Sequence, residues 1–175
     1  PYHPYDRCFD TFVGYTSGHW GSYVDAWLEK NGEPFYSEGY LTDFLTHQAI
    51  SFIESQQDTN WLVYLALNTP HSPMQVPDSL WERYKDLTLP EHRYQDREKP
   101  NHTRAAYAMV ENIDQNVGRL VQALEALDLT KETLIIFLSD NGPNGWRWNG
   151  GMEGIKGKVD EGGLRVPMIM AGMER

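Results

Sequence analysis

The chain has 175 residues, enough for one sizeable core, and a formal net charge of −10. A polyanion of this kind is repelled by nucleic acid and by anionic membrane surfaces, so neither is expected as a partner. Aromatic residues make up 13% of it, with six Trp and ten Tyr, which suits a well-filled core or a sugar-stacking surface.

The chain opens on Pro1-Tyr2-His3-Pro4, which reads as mid-loop, and closes on a strand entering a turn. Both ends point to a stretch of a longer protein. Cys8 is the single cysteine, so no internal disulfide can form and the redox compartment is open. No signal peptide or membrane-length apolar run is present. Asn31-Gly32, between aromatic-rich runs over Tyr23 to Tyr36, marks a hairpin. A helix follows, with Thr42 or Asp43 as its cap and Phe44, Leu45, Ala49, Ile50, Phe52 and Ile53 at helical spacing.

Trp61 to Leu67 is a continuous apolar run of strand length, the pattern of a strand buried on both faces of a parallel sheet. Pro70 to Pro100 is rich in proline and charge and reads as a surface excursion, with a short helix near Ser79 to Tyr84. A long amphipathic helix comes next. Its stripe is Ala106, Met109, Val110, Ile113, Val117, Leu120, Val121, Leu124 and Leu127. Leu134 to Leu138 and Leu164 to Met170 read as two further buried strands. Strand, helix and strand in this order predict a single α/β domain with a largely parallel sheet flanked by helices.

Chemistry concentrates where the strands end. Ser139-Asp140-Asn141-Gly142 closes one apolar run, and ligands sit at the carboxyl ends of strands in open α/β sheets. Asp140 and Asn141 offer hard oxygens, which suit Ca²⁺ or Mg²⁺ rather than Zn²⁺. An ordinary Asp-Asn-Gly turn explains the same residues. His71, between Pro70 and Pro73 after the other run, can bind an anion or donate a proton, or stand as a solvated loop histidine. Lys156, between Gly154 and Gly157, presents a compact charge for a sulfate or phosphate oxygen, or is a plain surface lysine.

Trp146 and Trp148 lie between the acid–amide pair and that lysine, as a substrate wall or a core plug. Asp160, Glu161 and Arg165 read as a local ion-pair group. Cys8 makes a poor nucleophile, because Asp6 and Asp10 would raise its pKa. Asn101-His102-Thr103 fits the glycosylation pattern, but Thr103 reads better as a helix cap.

Taken in order, several segments resemble the sulfatase family of the alkaline-phosphatase-like superfamily. They are Phe9 to Tyr15, Tyr40-Leu41-Thr42-Asp43, Tyr64-Leu65-Ala66 ahead of Pro70-His71-Ser72-Pro73, and Tyr107 to Val110 with Asp114 and Val117-Gly118. Ser139 to Gly142, Trp148 to Met152, Lys156-Gly157 and Glu161 to Pro167 complete the series. The resemblance implies that Asp140 and Asn141 are two ligands of a single divalent cation, Ca²⁺ or alternatively Mg²⁺. It implies that His71 and Lys156 hold the sulfate and steady charge near the leaving oxygen. The substrate class is then a sulfated small molecule or carbohydrate, and the aromatic loops favour carbohydrate.

The family's nucleophile is a formylglycine made within a Cys/Ser-x-Pro/Ala-x-Arg motif, and Cys8-Phe9-Asp10-Thr11-Phe12 is not that motif. The family's paired aspartates, its Lys-Trp-His segment and its C-terminal subdomain have no counterpart here either. The 175 residues are therefore expected to be the central part of a sulfatase catalytic domain, inactive alone and weak for Ca²⁺. The resemblance also implies a periplasmic or extracellular parent, lysosomal if eukaryotic. A phosphoester hydrolase of the same superfamily, or a non-catalytic relative, stands as the alternative.

Overall fold

The computed structural model describes residues 3–18 and 21–172. The expectations for Pro1, Tyr2 and the last three residues lie outside that range. The hairpin forms as expected: β1 (Val13–Gly14) pairs antiparallel with β2 (Trp27–Lys30), and β2 with β3 (Glu33–Tyr36). Asn31 and Gly32 have φ of 52° and 92°, the two left-handed positions that the tight turn between Lys30 and Glu33 requires. Asn31 also ties the hairpin to the chain before β1: its Oδ1 accepts from the Phe12 amide at 2.7 Å.

Helix α1 spans Leu41–Ser55 and starts from Tyr40, without a side-chain cap. The expected caps, Thr42 and Asp43, lie inside its first turn because both have other partners. Thr42 Oγ1 lies 3.1 Å from Thr69 Oγ1. Asp43 Oδ1 accepts from Asn112 at 2.9 Å, Asn116 at 2.6 Å and Arg119 at 3.0 Å. Helix α2 is Asp78–Tyr84, and α3 is Pro100–Ala126. Pro100 at the first turn needs no amide partner, so α3 starts earlier than expected. Thr103 is thus buried within the helix rather than capping it, and its hydroxyl donates to Glu98 at 2.6 Å. The stripe read along α3 is also corrected. Val110 is 49% exposed, while Asn112 and Asn116 turn inward to meet Asp43.

The core lies between the hairpin, α1 and α3. Tyr23, Ala26, Leu28, Tyr40, Leu41, Leu45 and Met109 fill it, and Leu65, Leu67, Met74 and Val76 pack against it. Burying one such aliphatic side chain contributes about 1.5–3 kcal/mol. Among the described residues no helix is long and apolar enough to cross a membrane.

Among the described residues a largely parallel sheet is not seen. Every strand pair described is antiparallel, including β4 (Leu134–Leu138) with β5 (Met168–Gly172). Trp61 to Leu67 runs outside any ladder, with Leu62 76% and Tyr64 78% exposed while alternate residues face the core. Nor are β4 and β5 buried as their apolar runs predict: Leu138 is 58% and Met168 60% exposed. Direction depends on the connection, and here 139–160 returns as an irregular loop rather than a crossover helix. The last strand starts later than expected, because Glu161–Leu164 forms the one-turn helix α4 and Pro167 has no amide to donate.

Candidate functional site

His71 sits in a half-buried loop whose backbone is held from the core. Tyr23 is fully buried, and its hydroxyl points at the carbonyls of His71 (3.1 Å), Asn68 and Ser72 (both 3.4 Å). The Tyr23 amide donates to Gln75 Oε1 at 2.5 Å, and Tyr40 Oη donates to the Gln75 carbonyl at 2.9 Å. Burial, helped by Tyr15, pushes the Tyr23 phenol up to about 12. Burial first, then Tyr23 and Asp43, raises Tyr40 too. The His71 ring is oriented by the 2.8 Å contact from Nδ1 to the Ser72 carbonyl. A carbonyl only accepts, so Nδ1 carries a proton.

Asp140 and Asn141 follow β4 directly. The Asn141 amide nitrogen donates to Asp140 Oδ2, which orients the pair. Gly142 is buried and its amide donates to the Gly163 carbonyl at 2.9 Å. Any Cβ at Gly142 would run into the Gly162 carbonyl, so only glycine lets α4 pass this close. The Lys156 amide donates to the Pro143 carbonyl at 2.9 Å, and the Gly162 amide to the Glu153 carbonyl at 2.7 Å. The loop 139–165 therefore folds back on itself and ties the Lys156 backbone to Pro143, two residues after Asn141. Glu161 and Arg165 make the expected ion pair at 3.3 Å, with both side chains exposed.

For a hard cation the donor type fits, since Asp140 Oδ1 and Asn141 Oδ1 are both oxygens. The number is small. Among the described residues no group of three or more His, Cys, Asp or Glu could hold a metal. Cys8 is exposed, in the left-handed residue after the 3-10 turn Pro4–Arg7.

The two tryptophans differ. Trp146 packs on Tyr94, ring centroids 4.7 Å apart, and carries the Arg97 guanidinium 4.9 Å from its own centroid. Trp148 is 50% exposed. Both line a cavity of about 100 Å³ that Ile155, the neighbour of Lys156, also bounds. Sequence reasoning missed the opposite wall, His92 to Tyr94. That wall is rooted by a buried contact of His92 Nε2 with Glu98 at 3.0 Å. Tyr94 Oη donates to Glu153 at 2.7 Å, which raises the phenol pKa, and Arg93 pairs with the same carboxylate at 3.0 Å.

Arg147 was missed as well. Its Nη2 lies 3.1 Å from His102 Nδ1 and donates to the Asn144 carbonyl at 3.3 Å. Burial first, then Arg147 and Lys99, lowers the His102 pKa, so the neutral ring accepts from the guanidinium. The alternation of basic and aromatic residues in Arg93-Tyr94 and Arg97 was the available signal within a segment read as surface.

The family model described as Sulfatase matches residues 3–174. The uncharacterized sulfatase YdeN of Escherichia coli K12 is 30% identical over 174 residues, covering 95% of this chain and 29% of its own length. The N-acetylgalactosamine-6-sulfatase of Mus musculus is 27% identical over 200 residues, covering 96% of this chain and 34% of its own length. Among solved structures, Ps i-CgsB in complex with k-i-k-neocarrahexaose superposes with a TM-score of 0.82 at 28% identity, over 97% of this chain and 41% of that one. The chain thus spans roughly a third of the length of these curated relatives.

Proposed function

The chain belongs to the sulfatase family, and from that premise we propose that it is the central part of a catalytic domain that hydrolyses sulfate esters of carbohydrates. The observation that carries this reading is the hydrogen bond from the Lys156 amide to the Pro143 carbonyl, which gathers a lysine and two metal-type oxygens into one loop. Asp140 and Asn141 would hold a divalent cation, Ca²⁺ or alternatively Mg²⁺, and that ion would supply positive charge to the sulfate oxygens. Lys156 would hold a sulfate oxygen as charge builds there in the transition state. His71 would serve the leaving oxygen as an anion contact or proton donor.

His71 and the Asp140 loop belong on one rim of the site in this reading. The support is that each follows an apolar run, Trp61 to Leu67 for His71 and Leu134 to Leu138 for Asp140. Trp148 would form a substrate wall. The formylglycine nucleophile and the remaining cation ligands are assigned to the rest of the protein, because these residues account for only about a third of the curated relatives. An exported protein suits the substrate, since sulfated glycans are large polyanions that do not cross a bilayer unaided.

The test is hydrolysis of a sulfated monosaccharide by the full-length protein, beside the matching phosphate ester. Chelation should abolish activity. Lys156→Ala should lower kcat/KM on the sulfate ester about a hundredfold, with stability changed by no more than about 0.5 kcal/mol. Equal turnover by mutant and wild type removes Lys156 from the site. Preference for the phosphate ester favours the phosphoester hydrolase, and no turnover of either favours a non-catalytic relative.

A further inference from the structure

From Trp61 to Ser79 the chain runs through the apolar stretch and the His71 loop into α2, and only Thr69 in it is buried. Thr69 is 6% exposed, and it is polar. A hydroxyl withdrawn from water needs a partner. This one lies 3.1 Å from the hydroxyl of Thr42, which is 2% exposed and 27 residues earlier in the chain.

Thr69 lies inside the turn that sets His71. The His71 amide donates to the Asn68 carbonyl at 3.0 Å, and the turn so closed encloses Thr69. Tyr23 grips the same turn by its carbonyls, Asn68 on one side and His71 and Ser72 on the other. A phenol has one proton to share among these acceptors. Such a grip fixes a distance but lets the turn pivot about it. The Thr42 hydroxyl supplies a second point, on a different residue of the turn, and restricts that pivot.

Thr42 is itself held in place. It sits in the first turn of α1, and its carbonyl accepts from the fully buried Thr46 hydroxyl at 2.9 Å. Asp43, the next residue, projects about 100° further round the helix. It takes its donors from Asn112 and Asn116 of α3. Consecutive residues thus join α1 to α3 on one side and to the His71 turn on the other. An apolar contact at Thr42 would bury the same area without direction and let the turn slide.

We propose that Thr42 is a positioning residue for His71, acting through the Thr69 hydroxyl. The inference rests on the reading of His71 given above, as the group that serves the leaving oxygen. Thr42 acts on no reacting atom itself. It keeps the imidazole within the narrow range of positions from which that oxygen can be reached.

Turnover of 4-nitrophenyl sulfate by the full-length protein, with thermal melts alongside, tests it. Thr42→Val keeps the branched shape and removes the hydroxyl. It should lower kcat about tenfold, short of the roughly hundredfold that a misplacement of about 1 Å can cost, and leave KM nearly unchanged. Thr42→Ser keeps the hydroxyl and should restore most of the rate. In a His71→Ala background Thr42→Val should cost nothing further, because the group it positions is gone. Thr42→Val alone leaves the Thr69 hydroxyl buried without its partner, which lowers the melting temperature. Combining it with Thr69→Val removes both hydroxyls and should recover the melting temperature but not kcat. A Thr42→Val variant with wild-type kcat, an equal loss in both backgrounds, or a double variant whose kcat recovers with its melting temperature overturns the positioning role. Undiminished turnover by His71→Ala overturns the reading of His71 instead.

Discussion

The two loops that carry the candidate site are held by opposite means. The His71 loop is gripped from outside, by the Tyr23 hydroxyl under its carbonyls and by Gln75 between Tyr23 and Tyr40. The loop after β4 is held from within, by backbone bonds joining Gly142 to Gly163, Pro143 to Lys156 and Glu153 to Gly162. The first depends on large buried side chains and can be loosened atom by atom. The second depends on glycines having no side chain, and any addition disrupts it. The same task, fixing a loop that carries a candidate functional group, thus has two different sensitivities to mutation.

The hardest test of that contrast is Gly162→Ala. A Cβ there meets the carbonyls of Gly154 and Glu153 and the side-chain nitrogen of Asn149. Backbone on two sides cannot yield, so we expect about 3 kcal/mol of destabilisation and loss of activity as Lys156 is displaced. Gly118→Ala is the control. Gly118 lies in α3 with nothing near its missing Cβ, and the substitution should stabilise by about 0.5–1 kcal/mol. Chemical denaturation of both variants checks the pair. A harmless Gly162→Ala would mean that the loop is not packed as tightly as its backbone bonds indicate.

Tyr23→Phe should do less, because the ring still fills the core and only the hydroxyl goes. Leaving the loop carbonyls short of a donor costs about 1.5 kcal/mol. The sign of its pH dependence follows from burial. Folding holds the phenol proton up to about 12, whereas the unfolded chain releases it near 10. Below pH 10 both states are protonated and the stabilisation is intact. Between about 10 and 12 the unfolded state loses the proton first, so stability falls as pH rises. Tyr23→Phe should flatten that alkaline fall, though not fully, because Tyr40 is raised as well. Thermal melts from pH 8 to 11 read this directly, and an unchanged slope would show that the alkaline loss lies elsewhere.

How far the sequence could be read follows the range of the interactions. The Asn31-Gly32 hairpin and α1 were legible because turn chemistry and helical spacing are local. The end of β4 at Leu138 was legible because the apolar run stops abruptly there at Ser139-Asp140-Asn141-Gly142. What escaped depends on partners far along the chain. Nothing near Asp43 says that Asn112 and Asn116 will turn inward to it across 69 and 73 residues. Nothing near His71 points to Tyr23, 48 residues earlier. Strand direction and burial failed for the same reason, since apolarity does not record which element lies alongside. The Pro70 to Pro100 segment was read as surface because its charges were counted before its aromatics were matched with Trp146.

The smallest effect separates Trp146 from Trp148, which sequence treats alike. Trp146 already spends its ring on Tyr94 and Arg97, so its removal should loosen the cavity wall and lower the melting temperature. Trp148 is half exposed and bounds the cavity, which leaves indole surface for a sugar face. Stacking of that kind is worth about 0.5–1.5 kcal/mol. Trp148→Ala should therefore lower kcat/KM several-fold for a sulfated sugar, leave a small aryl sulfate almost unaffected, and shift the melting temperature little. Trp146→Ala should harm both substrates together with stability. The outcome that sinks this division is a Trp148→Ala variant that melts early and loses both substrates equally. Trp148 would then be a plug, and the wall facing the sugar would have to be sought on the Arg93-Tyr94 side of the cavity.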